Sequence, residues 1–157
     1  MSVLLPTAPN VMSLYLSGAS LEEVSMARDF ITSVLRAEPP DTVATAALLT
    51  SELVTNALVH ADEPNLAPDP AAPARRRLRT ARPFHVTAEL FRHELRVLVR
   101  GQGSLLPVAA PEPSTPLEES GRGLVLVDTL SHTWGTRGDA FFRTVWFTLP
   151  RDLAPTA

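Results

Sequence analysis

Apolar side chains in this chain recur at two different spacings, and that change of period limits the fold more than any other feature. Between residues 21 and 61 they fall at helical intervals: Val24, Ala27, Phe30, Ile31, Val34 and Leu35, then Leu48, Leu49, Leu53 and Leu58. From residue 85 the segments HVTAELF and ELRVLVR read as two strands joined by a tight turn at Arg92–His93. Ser20 is the expected N-cap of the first helix, with Glu22 and Glu23 where the helix dipole favours anions, and Pro39–Pro40 lies beyond its end. Asp41 is the expected cap of the second helix, which runs to about Ala61. MSLYLS suits a short edge strand, and TWGTR and FRTVWFTL read as a closing antiparallel pair. GLVLVDTL is ambiguous, because its composition says strand while the glycines before it and its length allow a helix. The order predicts an α+β fold, a two-layer sandwich with a mostly antiparallel or mixed sheet and helices on one face.

A chain of 157 residues suggests one domain. We expect it over 12–150, after a flexible arm at 1–11 and before a tail at 151–157. Residues 62–83 form a long Pro- and Ala-rich connection expected to be mobile, and the Pro/Ser-rich stretch 104–120, bounded by glycines, is expected to act as a lid. Cysteine is absent, which excludes disulfides, thiolate metal sites and a Cys nucleophile, and fits a reducing cytoplasm. All fourteen basic residues are Arg, so no mechanism can rest on Lys. A net charge of −3 argues against a general binder of nucleic acid or anionic membranes. The run Arg75, Arg76, Arg77, Arg79 and Arg82 lacks the interleaved aromatic residues that stack on bases, and reads first as a solvated loop. The apolar runs are too short to span a membrane, no signal peptide is evident at the N-terminus, and His85, His93 and His132 show no metal spacing.

Within the second helix, SELVTNALVH carries Glu52, Asn56 and His60 at intervals of four, which aligns them on one face. Asn is a poor interior helix residue because its amide competes for backbone hydrogen bonds. One amide oxygen can anchor a hard cation such as Mg²⁺, and a carboxylate one turn away can accept a proton from an attacking hydroxyl. The plainer alternative is a solvated polar face, which most amphipathic helices have. In EESGRGLVLV, the glycines around Arg122 let backbone amides approach an anion at a helix start, although turn glycines before a strand are commoner.

Taken in order, ELVTNALVH, a hairpin ending in a Gly-x-Gly turn, a lid-type loop, GRGLVLV and TVWF resemble the GHKL ATPase superfamily. Its members include gyrase B subunits, sensor histidine kinases and mismatch-repair ATPases. The resemblance is greatest to the small anti-sigma-factor serine/threonine kinases of Gram-positive bacteria, and covers about Ser13 to Leu149. It implies a Bergerat-type ATP-binding fold in which GLVLVDTL is a helix, with ATP and Mg²⁺ as cofactors. Carried over by motif, Glu52 is the general base and Asn56 the Mg²⁺ ligand, with His60 beside the nucleotide. Gly121, Arg122 and Gly123 belong to the lid over the phosphates, Leu124 follows them at the nucleotide, and Thr144 lies on the sheet floor near the adenine. In such kinases the nucleophile is a serine of a separate anti-anti-sigma protein of the STAS type, and the same surface binds a sigma factor. A homodimer is a further expectation.

One departure stands out. The family pattern after the hairpin is Asp-x-Gly-x-Gly, whereas this chain reads Gly101-Gln102-Gly103-Ser104-Leu105. Gly103 matches the first glycine, Leu105 replaces the second, and Gly101 stands where the Asp accepts a hydrogen bond from the adenine amino group. Losing a bond to a charged acceptor costs about 1.5–3 kcal/mol, or roughly 10- to 150-fold in affinity. The expectation is therefore either an ATP-dependent kinase with weakened nucleotide binding or a catalytically silent protein-binding module on the same fold.

Overall fold

The structure is a computed structural model that describes residues 8–60, 82–102, 122–138 and 141–151. Its elements follow the expected order: β1 (Asn10–Leu16), α1 (Glu23–Val34), α2 (Pro40–His60), β2 (Phe84–Leu90), β3 (Glu94–Gln102), α3 (Arg122–Leu130), β4 (Thr133–Gly138) and β5 (Phe142–Pro150). The five strands make one sheet in the order β1-β2-β3-β5-β4, with every pairing antiparallel. GLVLVDTL is helical, as the resemblance required and its composition did not.

Strand alternation divides the sheet into two faces. Leu16, Phe84, Val86, Ala88, Leu95, Val97, Val99, Phe147 and Leu149 point to one side and are buried there with Ile31, Leu35, Leu49, Leu53, Val54, Leu58 and Val127 of the helical layer. The other side carries polar and aromatic residues, among them Arg96, Arg100, His85 and Trp146. Arg96 lies over the Phe91 ring at 5.1 Å and Arg100 over Phe142 at 4.5 Å.

Helix starts differ in detail from the sequence expectation. Helix α1 begins at Glu23, and Ser20 Oγ instead accepts the Glu22 N–H, at 3.1 Å, in the turn before it. Glu23 is more than a dipole complement: its buried carboxylate accepts the backbone N–H groups of Ser17 (2.9 Å) and Gly18 (2.8 Å) and so clamps the β1–α1 connection. Gly18 has φ +75°, and a Cβ there would stand 2.0 Å from the Arg82 carbonyl oxygen, so this crossing requires glycine. Helix α2 starts at Pro40 rather than being capped by Asp41, which lies inside its first turn. Proline suits a first helical position because its missing N–H would have no partner there.

Two expected boundaries shift. The arm expected over 1–11 gives way to β1 at Asn10, and residues 1–7 lie outside the described part. Arg151, expected in a tail, is a structural residue: its Nε donates to Glu38 Oε1 at 2.9 Å, its guanidinium also donates to the Phe91 carbonyl, and its own N–H bonds His93 O at 2.9 Å. The lid expected at 104–120 and the arginines at 75–79 fall outside the described residues.

Candidate functional site

Helix α2 is held by its apolar side, where Leu49, Leu53, Val54 and Leu58 enter the core. Its polar side is fixed locally: Ser51 Oγ donates to Ala47 O at 2.8 Å and accepts from Arg28 Nε at 3.1 Å, and Thr55 Oγ1 donates to Ser51 O at 2.7 Å. Each directly following one of these tied residues, Glu52 and Asn56 are half-buried one turn apart.

What lies against them is the first turn of α3. A Cβ added to Gly123 would stand 2.7 Å from Glu52 Oε2, 3.3 Å from Glu52 Cβ and 3.5 Å from Asn56 Nδ2. Gly123 therefore lets the α3 backbone come against both polar side chains, and a side chain there would have to displace the Glu52 carboxylate. Helix α3 is fixed from its other end by Val127, which is fully buried, and by Asp128, whose carboxylate accepts Trp134 Nε1–H at 2.8 Å across to β4. The sequence places Gly123 some seventy positions from Glu52; the fold makes them neighbours.

The sheet end beside this junction is read from register. Leu16 opposes Phe84, Gly101 opposes Arg143, and Arg143 opposes Gly138. A Cβ at Gly101 would meet Phe84 Cβ at 3.6 Å, an ordinary contact. These residues form one row across the core-facing side, at the end where β3 and β4 finish and β2 and β5 begin.

The sequence-derived site residues are thus partly assembled. Glu52, Asn56 and Gly123 come together, and Gly101 lies on the core face of the sheet. Leu124 is a packing residue, half-buried against the core. Thr144 departs from expectation: only 9% exposed, it nevertheless lies on the face turned away from the helices, opposite Arg100 and Arg137. Its neighbour Arg143 takes the core-facing position instead. Gln102, the residue after Gly101, also falls on the outer face by alternation. The backbone of His60 ends α2 and that of Arg122 begins α3, while their side chains, and the whole of Gly103 and Gly121, lie outside the described residues. Sequence reasoning missed Arg143, although counting by twos back from Leu149 and Phe147 in RTVWFTLP reaches it.

A protein-family model for the histidine kinase-like ATPase domain matches residues 18–148, well over half of the chain. The chain belongs to this family. No curated protein matches it closely enough to serve as a relative. A histidine kinase-like ATPase domain implies ATP binding, ordinarily with Mg²⁺, and the residues present fit such a pair. At Gly123 the α3 backbone packs against one amide and one carboxylate. Among the described residues no three acidic or histidine side chains cluster closely enough to hold an ion by themselves. That donor set suits a cation that arrives with phosphate oxygens and completes its shell with them and water. Among the described residues no helix is long and apolar enough to cross a membrane.

Proposed function

We propose that this ATPase-family domain is a cytoplasmic regulatory kinase that binds ATP with Mg²⁺ and phosphorylates a serine of an anti-anti-sigma partner of the STAS type. The same surface would sequester a sigma factor. The observation that carries the reading is the contact of Gly123 with Glu52 and Asn56, which puts a carboxylate, an amide and the start of α3 in one place. A helix start offers unpaired N–H groups to phosphate oxygens.

In this reading Asn56 would hold the Mg²⁺ that comes with the nucleotide, and the ion would supply charge neutralisation at the phosphates. Glu52 accepts the proton of the partner's serine hydroxyl. The serine oxygen forms its bond to the γ-phosphorus as the bond from that phosphorus to the β-phosphate bridge oxygen breaks, and ADP leaves with the electron pair. Arg28, which donates to Ser51 Oγ, ties α2 to α1 at the position next to Glu52. The overall negative charge and the basic run at 75–82 do not make a nucleic-acid binder of it, and a protein partner is the reading we carry forward.

A second reading is favoured by Gly101. With no carboxylate at that core-facing position, the domain would bind its protein partners without turning over nucleotide. Calorimetric titration with ATP, with and without Mg²⁺, separates the two. Binding that strengthens with Mg²⁺ supports the kinase. No heat and no thermal shift at millimolar ATP favours the silent module.

A further inference from the structure

The two edges of the sheet are guarded differently. An edge strand leaves a row of N–H and C=O groups without partners, and folds blunt such edges with charge, proline or interrupted strands. Strand β4, at one edge, carries the exposed Arg137 and two glycines, and its Trp134 is fastened back to Asp128 of α3. Strand β1, at the other, reads NVMSLYL, without a charge, a proline or a glycine, and among the described residues no strand pairs with its outer side. Its apolar side chains stand in water on both faces. Met12, on the core-facing side, is 38% exposed, and Val11 and Tyr15, on the opposite side, are 56% and 76% exposed. The helical layer continues this strip. Helix α1 packs over β1 and β2, and α2 over β3 and β5. Ala27 of α1 points into the core, and Arg28, about 100° further round the helix, reaches Ser51 of α2. Met26, the same angle the other way, is therefore on the flank turned from α2 toward the β1 end, and it is exposed.

We propose that β1 is the seam of a homodimer, in which it pairs antiparallel with β1 of a second copy about a two-fold axis at Ser13. The occupant follows from the strand's own pattern. On either side of Ser13 the sequence is apolar at one step, Met12 and Leu14, and at two steps, Val11 and Tyr15. This register pairs every residue of the strand and keeps each on its own face, since opposed positions are an even number apart. Met12 then meets the partner's Leu14 on the core-facing side. Val11 meets the partner's Tyr15 on the other, a β-branched residue against an aromatic ring, which is a favoured cross-strand pair. The symmetry makes each contact twice. The axis runs through the sheet, so both copies of α1 lie on one side of the seam, with the Met26 flank of each facing across it. Two five-stranded sheets become one and the unpaired edge disappears. No charge on the strand repels its own copy. One short strand and one helix flank from each copy make a small interface, so the dimer forms and dissociates with concentration.

The test is sedimentation of the full chain over a concentration series, joined to cross-linking. The average mass should climb toward twice that of one chain as concentration rises. Met12→Lys puts a cation into both Met12–Leu14 pairs and should move the association midpoint roughly 2- to 30-fold higher, while its melting temperature reports that the fold has held. The chain has no cysteine, so a single introduced thiol reads the register directly. Ser13 is exposed, and Ser13→Cys should be joined to its own copy by a short bis-maleimide, because the axis brings the two thiols together. Thr136→Cys, exposed on β4 at the far edge, should not be joined. A chain that stays monomeric throughout the series overturns the proposal, and that result needs no variant to fold. So does a dimer that Met12→Lys leaves unweakened, or one that cross-links through Thr136→Cys and not through Ser13→Cys.

Discussion

Gly123→Ala isolates the junction between α2 and α3. The new Cβ would lie 2.7 Å from Glu52 Oε2, which is too close, so something must move. The atom it meets is the far end of a flexible side chain, and the carboxylate can swing away at a rotamer cost of about 0.5–1.5 kcal/mol. The 3.3 Å approach to Glu52 Cβ asks for a shift of a few tenths of an ångström, and the 3.5 Å contact with Asn56 Nδ2 asks for nothing. Against this, alanine is favoured over glycine in a helix by about 0.5–1 kcal/mol, somewhat less in a first turn. The terms nearly cancel, so stability should change by no more than about 1 kcal/mol, or about 2–4 °C in Tm for a chain of this size. Activity should not be spared. A displaced Glu52 loses its place as proton acceptor, and transfer should fall roughly 10²- to 10⁴-fold while nucleotide still binds. Thermal melting, calorimetry and transfer from γ-labelled ATP to a partner serine measure the three quantities. Full transfer in a normally folded Gly123→Ala protein would refute the role given to Glu52. A drop of many degrees would show that backbone, not the Glu52 side chain, had to yield.

Four other outcomes are expected. Glu52→Gln should leave nucleotide affinity close to wild type and lower phosphotransfer by roughly 10²- to 10⁴-fold, measured with the same labelled ATP. Gly101→Asp should be accommodated, because Gly101 has no positive φ and its Cβ would make only an ordinary contact with Phe84. It should tighten ATP by about 1.5–3 kcal/mol and turn the ATP-to-GTP ratio toward ATP in a competition assay. Arg151→Ala strips the partner from Glu38, whose side chain is 4% exposed, and should cost about 3–5 kcal/mol in urea unfolding; adding Glu38→Leu should recover much of that loss. Burial and the neighbouring Arg100 guanidinium hold the His85 imidazole below its ordinary value of 6.5, so the unfolded chain takes up this proton before the folded one as pH falls. Stability from this residue is therefore full above about pH 6.5 and declines below it, and His85→Gln should flatten that decline in urea midpoints taken on both sides.

Much of the fold could be read from residue spacing because each element buries one face. Period-two alternation in HVTAELF and ELRVLVR located β2, β3 and the turn at Arg92–His93, where Phe91 N–H bonds Glu94 O at 2.9 Å. GLVLVDTL was the exception. Its β-branched composition pointed to a strand, but Val127 and the side chains beside it bury against α2 and the sheet, and this packing outweighs a propensity difference of a few tenths of a kcal/mol per residue. Helix starts were misjudged for a different reason. Ser20 and Asp41 have the right chemistry for caps, but Glu23 was needed to clamp the β1–α1 connection and Pro40 can open a helix without a donor.

The placement of the candidate residues could be read from sequence in the helix and not in the sheet. A spacing of four is a local property, so Glu52 and Asn56 could be aligned without knowing the fold. Which face Thr144 takes depends on the phase of β5, and that phase is set by the burial of Phe147 and Leu149 rather than by Thr144 itself. A match to a motif names a residue type at a position, and strand parity then decides whether it faces the site. Shifting the motif by one residue exchanges a hydroxyl for a guanidinium at the same end of the sheet.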